Sequence, residues 1–169
     1  TLSPYYDAAT AEAKPHHTRE GFRNHYSDWP MPDFWKWQRE RLQAGVPKPP
    51  SEPIARAQPD VAFLQANATE PTITWIGHAT MLLQVGSYSV LTDPHLTTRA
   101  SPVFFYGPRR HSPPGLDFAQ LPHIDLVLIS HNHYDHLDAG TVQRLNAQPG
   151  GPPLFVVPLG LEKWLRGQG

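Results

Sequence analysis

The sequence predicts an α/β fold, because the segments from residue 72 onward alternate between strand and helix patterns. Residues 72–92 contain three β-branched or aromatic runs, and residues 124–166 contain two short apolar runs, each followed by a helical pattern. Residues 1–71 differ, since they hold half of the chain's twenty prolines and few apolar runs. We therefore predict a proline-rich N-terminal arm with one helix over residues 1–71 and a globular region over residues 72–169.

The composition excludes several classes of protein. The chain has 169 residues with 14 Lys and Arg against 15 Asp and Glu, which argues against a nucleic-acid partner bound by phosphate neutralisation. It has no apolar run near the roughly 18 residues of a membrane-spanning helix. It has no cysteine, which excludes a disulfide scaffold and thiolate metal sites. Half of its ten histidines lie between His111 and His136, and this cluster indicates a functional site in that part of the chain.

One helix is predicted in the arm, over Phe34–Ala44. Asp33 is a residue type that caps helix N-termini, and Gly45 stands where a left-handed residue ends a helix. The Lys48–Pro53 segment follows. Its prolines lack the backbone N–H that helices and interior strands need, so we predict an extended connector there.

Three strands are predicted at the start of the globular region, over Thr72–Ile76, Met81–Val85 and Tyr88–Thr92. The last two are separated by Gly86-Ser87. A two-residue loop with glycine first is typical of a type II′ hairpin turn, because the first position needs a positive φ.

The remaining elements follow a loop of residues 99–123 that is rich in proline, histidine and arginine. Ile124–Ile129 is almost wholly apolar, which predicts a strand buried on both faces. The elements expected after it are a helix from the Asp138 cap to Asn146, a strand over Leu154–Val157 and a helix over Leu159–Arg166.

The strongest functional signal is the H-x-H-x-D-H spacing directly after the predicted buried strand. His131 and His133 are two residues apart in an extended stretch, so their side chains can converge on one cation. The chain must then turn, which can bring Asp135 and His136 to a second point nearby. Imidazole nitrogen and carboxylate oxygen are zinc ligands, and α/β sheets bind ligands at the carboxyl ends of their strands. The alternatives are a solvated histidine-rich loop and a closed structural zinc site.

This motif resembles the metallo-β-lactamase superfamily, and further stretches narrow the resemblance. These stretches are Thr74–Thr80, Leu91–Pro94, Arg99–Pro102, Gly107–Arg110, Leu128–Asp138 and Val157–Gly160. Through them the chain, from about residue 72 to the last residue, resembles N-acyl-phosphatidylethanolamine-hydrolysing phospholipase D and its bacterial relatives. His16-His17 and Gly21–Asn24 resemble the arm of the bacterial members. The resemblance implies an αββα sandwich, of which residues 72–169 supply roughly the N-terminal half.

The resemblance also implies a metal site with two zinc ions between the two sheets. His131 and His133 match ligands of the first zinc, and Asp135 and His136 match ligands of the second. A hydroxide activated by the metals is then the nucleophile, and no side chain is assigned that role. Iron or manganese is an alternative occupant, because both accept nitrogen and oxygen ligands.

Four further residues are expected near this site. Asp93 matches a position that hydrogen-bonds a metal-bound histidine, with an ordinary Asp-Pro turn as the alternative. His78 matches a position near the floor of the site, with a hydrogen-bonded core histidine as the alternative. Arg109 and Arg110 lie in a proline-flanked loop and are candidates to contact a substrate phosphate bidentately. The alternative for this pair is a solvated loop.

A substrate at a membrane surface would require an apolar approach face and peripheral contact with the membrane. The stretch Val103–Tyr106 offers one such face, and the arm offers another at Trp29, Phe34, Trp35 and Trp37. The alternative is that these aromatic side chains pack the arm onto the globular region.

The resemblance is incomplete after the motif. In the family that the chain resembles, two more histidines and an aspartate that bridges the metals complete the site. In this sequence no histidine follows His136, and the only later acids are Asp138 and Glu162. Half a sandwich would also expose one apolar sheet face to water, which is unfavourable by about 25 cal/mol for each Å² of apolar surface. We therefore expect a second polypeptide or a further C-terminal half to complete the fold, and a homo-oligomer is another arrangement to consider.

The function that follows from the resemblance is that of a zinc-dependent hydrolase. It is expected to be a phosphodiesterase of phospholipase D type that releases N-acylethanolamine from N-acylated phosphatidylethanolamine-like lipids. The alternatives are a lactonase on the same fold, since a fold does not fix a substrate, and a non-catalytic fragment that needs a second chain.

Overall fold

The computed structural model describes residues 2–26, 33–45, 52 and 55–169. The chain forms two compact units, Thr1–Lys48 and Pro49–Gly169. Trp29 and nearly all of the predicted Lys48–Pro53 connector lie outside the described residues. Among the residues described, no helix combines the length and apolarity needed to cross a bilayer.

The first unit contains a short hairpin and one helix. Strand β1 (His17–Thr18) pairs antiparallel with β2 (Gly21–Phe22), and helix α1 spans Phe34–Ala44. The Asp33 carboxylate caps α1 by accepting the backbone N–H groups of its second and third residues, each at 3.0 Å. Gly45 ends α1 with a φ of 71°. The helix predicted from the sequence is therefore confirmed at both ends.

The second unit is built on a mixed five-stranded sheet with the order β3-β4-β5-β6-β7. Strands β3 to β5 are antiparallel, and β5, β6 and β7 are parallel. The strands are β3 (Thr72–Gly77), β4 (Thr80–Val85), β5 (Tyr88–Thr92), β6 (Leu126–Leu128) and β7 (Leu154–Val156), and the helices are α2 (Val61–Ala66), α3 (Ala139–Asn146) and α4 (Glu162–Arg166).

The turns and caps explain why these elements begin and end where they do. Val85 pairs with Tyr88, and only Gly86 of the two turn residues has a positive φ, which is the combination of a type II′ turn. Asp138 caps α3 as predicted. The last helix begins later than predicted, at Glu162, and no side chain caps it.

Helix α2 belongs to the second unit, although the sequence placed its residues in the arm. Leu64 on this helix is buried in the core of the unit. The buried Gln84 side chain on β4 also donates a hydrogen bond to the Leu64 carbonyl, at 2.8 Å. These contacts place the division of the chain near residue 48 rather than after residue 71.

All three helices of the second unit contribute to one core on one face of the sheet. Leu82, Leu91 and Val127 lie on the central strands and are fully buried. Val142 and Leu145 of α3 are buried with them, while side chains of α4 pack at the edge of the same cluster. This packing holds the parallel strands in place, and their carboxyl ends carry the candidate site.

The other face of the sheet is open and apolar. Pairing across the strands aligns two rows of side chains on it, and we call the surface that they form the open sheet face. The rows are Ile73, Leu83, Val90, Leu126 and Leu154, and Trp75, Met81, Thr92, Leu128 and Val156.

The open sheet face corrects one prediction. The Ile124–Ile129 run was expected to form a strand buried on both faces, but β6 covers only its centre and Leu128 is 36% exposed. The reason is that no part of the described chain covers this side of the sheet. The apolar run therefore matches a strand that is buried on the helix side alone.

Candidate metal centre

The candidate site lies where the parallel strands β5 and β6 end. Asp93 directly follows β5, and the Ser130–His136 stretch follows β6. The backbone N–H of Asp93 donates to the carbonyl of Leu128 at 2.8 Å, which extends the strand pairing into the site. The carboxyl ends of parallel strands meet at one edge of a sheet, so the two loops converge there.

Asp93 organises the site through three hydrogen bonds. Its carboxylate accepts the backbone N–H of Ser130 at 2.7 Å, the hydroxyl of Ser130 at 2.7 Å and a ring nitrogen of His136, Nδ1, at 2.9 Å. Because an acceptor at Nδ1 favours the proton there, Nε2 of His136 keeps its lone pair for a cation. Asp93 thus contacts one histidine of the motif, and its φ of 38° is the left-handed conformation that Asp tolerates.

Ser130 also contacts the candidate site, and the sequence analysis gave it no role. Its hydroxyl donates to Asp93 and lies 2.9 Å from Nδ1 of His131, so it can accept the proton of that ring nitrogen. The same carboxylate therefore orients His136 directly and His131 through Ser130. A serine immediately before the first histidine of the motif was the only available signal.

Three candidate ligand atoms lie close together in the site. The groups of His78, Asp135 and His136 lie within 4.8 Å of one another. Nε2 of His78 is 2.8 Å from the Asp135 carboxylate, and Nε2 of His136 is 3.5 Å from the same oxygen. The side chain of His78 is 51% exposed, so the alternative of a core histidine is wrong. The sequence analysis gave His78 a supporting place, whereas the structure puts its ring among the candidate ligands.

The other two predicted ligands form a pair beside this group. Nε2 of His131 lies 3.0 Å from Nδ1 of His133. The rings of His131 and His136 are 4.1 Å apart between centroids, so the pair and the group are neighbours. This agrees with the expectation of two nearby points and differs from a loop whose histidines spread into solvent.

The two carboxylates are held in the ionised form that a metal requires. Burial would raise the pKa of Asp93, but the hydrogen bonds from Ser130 and His136 outweigh it and keep that pKa below its ordinary value. Burial likewise opposes ionisation of Asp135. Its own backbone N–H, the charge of His136 and the hydrogen bond from His78 together lower its pKa.

The chemistry of this donor set fits a divalent transition metal. It combines imidazole nitrogens with a carboxylate oxygen, which zinc binds at about 2.0–2.2 Å. The rings of His131 and His136 each have a hydrogen-bond partner at Nδ1, which leaves Nε2 to bind a metal. Metal-bound histidines usually have such a partner on the other ring nitrogen. Mg²⁺ and Ca²⁺ prefer all-oxygen sites and fit less well.

A cleft of about 860 Å³ opens onto this centre. Trp75 and His78 line one side of it and His133 and Asp135 another, while the loop that carries Arg109 forms a further wall. Three of the candidate ligands, His78, His133 and Asp135, are therefore accessible to a small molecule in the cleft.

The two arginines of the loop are not equivalent. Nη1 of Arg110 donates to Nδ1 of His95 at 3.0 Å and to the His95 carbonyl at 2.6 Å, while Nε donates to the Ser112 carbonyl at 3.3 Å. Burial lowers the pKa of the Arg110 guanidinium. Most of its hydrogen-bonding capacity is thus taken up inside the protein. Arg109 is exposed, and none of the described side chains forms an ion pair with it.

Comparison with known proteins identifies the fold. Residues 88–169 match the family model described as a beta-lactamase superfamily domain. This part of the chain belongs to the β-lactamase superfamily. The predicted metallo-β-lactamase fold is thereby confirmed, with the mixed five-stranded sheet and its helices as the part that the described residues form.

Relatives of this superfamily domain align with more of the chain. An uncharacterized protein of Mycobacterium tuberculosis is 43% identical over 120 residues, 71% of this chain and 31% of that protein. N-acyl-phosphatidylethanolamine-hydrolyzing phospholipase D 1 of Caenorhabditis elegans is 45% identical over 97 residues, 57% of this chain and 27% of the relative. A metal-dependent hydrolase of Aeropyrum pernix is 34% identical over 85 residues, 50% of this chain and 29% of the relative. The chain spans less than a third of the length of these relatives.

Proposed function

We propose that the chain carries the metal-binding part of a zinc-dependent phosphodiesterase of phospholipase D type. Its substrate is an N-acylated phosphatidylethanolamine-like lipid, and the products are N-acylethanolamine and a phosphatidic acid. The observation that carries the proposal is the convergence of His78, Asp135 and His136 beside the His131–His133 pair in an open cleft. The similarity to the Caenorhabditis elegans phospholipase supports the choice of substrate.

The chain's own residues hold and orient the centre. His131 and His133 would bind one zinc ion, and Asp135 and His136 a second, with His78 within reach of the latter. Bound zinc supplies a Lewis acid and lowers the pKa of a water molecule to about 7. Asp93 keeps the proton of His136 on Nδ1, so that the ring presents its other nitrogen to the centre.

Arg109 is the better of the two arginines to meet the substrate phosphate, because its guanidinium is exposed on the wall of the cleft. In the hydrolysis a water oxygen bonds to phosphorus. The bond from phosphorus to the ethanolamine oxygen breaks, and that oxygen leaves with a proton. Arg110 instead fixes the loop through His95 and Ser112.

We further propose that a second sheet covers the open sheet face and brings the remaining metal ligands. The apolar rows of that face support this, since exposed apolar area of this extent is unfavourable in water. The relatives, more than three times as long as the aligned segment, have sufficient chain to supply such a sheet. The second sheet belongs to a further segment of the same protein or to a second polypeptide. A homo-oligomer is the remaining arrangement. Light scattering on this chain alone would reveal it, because the measured mass would be a multiple of the mass of one chain.

The test is hydrolysis in ¹⁸O-labelled water by the zinc-loaded protein with the segment or polypeptide that carries its second sheet. An N-acylated phosphatidylethanolamine in detergent micelles is compared with a simple lactone. We expect N-acylethanolamine release, with the label in the phosphatidic acid, because water attacks phosphorus. The His136→Ala variant should lose this activity, whereas His123→Ala, at an exposed histidine outside the cleft, should keep it. Turnover of the lactone alone would favour the lactonase alternative. If the zinc-loaded protein that includes the second sheet hydrolyses neither substrate, the proposal is wrong.

A further inference from the structure

Residues 98–110 form a loop with an ordered base and an aromatic tip, which we call the aromatic loop. At its base the backbone N–H of Arg110 donates to the Thr98 carbonyl at 2.9 Å, and that of Ala100 donates to the Pro108 carbonyl at 3.0 Å. The Arg99 guanidinium crosses between the two sides and donates to the Gly107 carbonyl at 2.7 Å. The base is therefore braced by three hydrogen bonds.

Glycine is required where the loop returns from its tip. Gly107 has a φ of 103°, and a Cβ atom at this position would lie 2.7 Å from the Cβ of Ser101. A larger residue would be strained and would also push the two sides apart. The return of the chain thus keeps the tip projecting from a narrow base.

The tip presents aromatic side chains to solvent. Phe104 is 88% exposed, Phe105 69% and Tyr106 75%. The rings of Phe104 and Phe105 contact each other edge to face, with 5.3 Å between their centroids. Single exposed apolar residues are normal, but three consecutive ones on a braced projection form an interaction surface. The three rings are therefore not packed within the second unit.

The charge around the tip has one sign. Residues 94–116 contain three arginines and no acidic residue, although the chain as a whole has a net charge of −1. Arg109 and His111 are exposed beside the tip. Aromatic rings flanked by arginine match the boundary of an anionic bilayer, where the rings reach the acyl region and the cations meet phosphates.

The aromatic loop also borders the candidate site. Ala100, Pro108 and Arg109 at its base line the same cleft as His133 and Asp135. A lipid surface that contacts the tip would therefore lie beside the cleft mouth, where a headgroup could enter without leaving the membrane region.

We propose that the tip of the aromatic loop inserts into the interface of an anionic lipid bilayer and docks the cleft on it. The occupant of this surface is thus a membrane, rather than a protein partner or the arm. This inference rests on the proposed function for its relevance to a lipid substrate. Its physical basis, the exposed rings and the acid-free basic loop, is independent of hydrolysis.

The absence of cysteine from the chain gives a direct test. A single cysteine introduced by Phe104→Cys can be labelled with an NBD fluorophore and mixed with vesicles. The vesicles contain phosphatidylcholine with or without about one-third phosphatidylglycerol. Matched labels come from Trp35→Cys, an exposed aromatic position on α1, and Ile73→Cys, on the open sheet face. No metal or hydrolysable substrate is added, so a failure of the proposed enzyme activity does not affect the result.

We expect the label at Phe104→Cys to brighten and shift to the blue with anionic vesicles, and the label at Trp35→Cys to change little. In unlabelled protein, replacing Phe104, Phe105 and Tyr106 together by serine should lower vesicle partitioning roughly tenfold or more, since partial burial of the rings is lost. Arg109→Gln should lower it about fivefold, on anionic vesicles alone.

Three results would overturn the inference. One is a response at Ile73→Cys without a response at Phe104→Cys, which would mean that lipid covers the open sheet face instead. Another is equal partitioning of the triple variant and the parent protein. The third is no vesicle binding by the parent protein, which would leave a protein segment as the occupant of the tip.

Discussion

Replacing Asp93 by asparagine should weaken metal binding without changing a single candidate ligand. Asparagine also tolerates the positive φ of this position, so the backbone is not the cause of the effect. The side-chain oxygen of asparagine can still accept the backbone N–H of Ser130, but its NH₂ group then faces Nδ1 of His136. That group favours the tautomer of His136 with its proton on Nε2, the nitrogen meant for the metal. We expect metal affinity to fall about ten- to a hundredfold.

The same substitution should destabilise the metal-free protein moderately. Two bonds to the carboxylate, from the Ser130 hydroxyl and from His136 Nδ1, lose their charged acceptor. Charge-assisted bonds exceed neutral ones by about 1 kcal/mol each, so the free energy of unfolding should fall by about 1–3 kcal/mol. Folding lowers the pKa of Asp93, so the ionised carboxylate stabilises the folded protein at pH values above its unfolded-state pKa. This stabilisation is lost as the pH falls through the folded-state pKa. The Asp93→Asn variant should lack this contribution to acid sensitivity.

The assay is competition for zinc with a chromophoric chelator, alongside urea unfolding of the metal-free protein. Asp125→Asn is the matched control, because its carboxylate also accepts a backbone N–H, that of Ser89 at 2.8 Å, away from the site. It should lose stability and keep its zinc affinity. The reasoning is refuted if Asp93→Asn binds zinc as tightly as the parent protein, or if the control loses affinity equally.

Three further predictions follow from the structure. Ser130→Ala should lower zinc affinity by roughly tenfold in the same competition assay, because His131 loses its oriented partner; an unchanged affinity would remove Ser130 from the site. Gly77→Ala should lower the free energy of unfolding by about 1–3 kcal/mol, since its φ is 143° and a Cβ would lie 2.7 Å from the Arg110 guanidinium. In urea unfolding of residues 1–169 without the second sheet, Leu82→Ala should cost about 2–5 kcal/mol and Leu83→Ala much less, because they occupy opposite faces of β4; equal costs would mean that this chain itself covers the open sheet face.

Local sequence signals predicted most of the fold. The Asp33 cap and Gly45 set both ends of α1, and Gly86 specified the β4–β5 turn, because these residue types satisfy particular backbone needs within a few residues. Helix α2 was missed because its six residues form too short a pattern, and it is held by Leu64 and Gln84, a contact between distant positions. Such tertiary contacts have no periodic signature in a sequence.

The candidate site was predicted in part. The spacing of the motif located His131, His133, Asp135 and His136, since that spacing follows from one strand end and one turn. The approach of His78 to Asp135 joins positions 57 residues apart, and only the resemblance indicated it. An apolar run in a strand does not show which of its two faces is covered, so the β6 run alone predicted burial on both. An exposed apolar sheet face was expected only from the incomplete resemblance.

Titration calorimetry, which measures the affinity for zinc, tests most directly whether the motif forms a metal centre. The parent protein and His123→Ala, at an exposed histidine outside the cleft and the candidate ligands, should bind zinc alike. His136→Ala should lose at least about tenfold in affinity, because a ligand and its link to Asp93 are removed together. Equal zinc binding by all three proteins, or none by the parent, would contradict the assignment of the site.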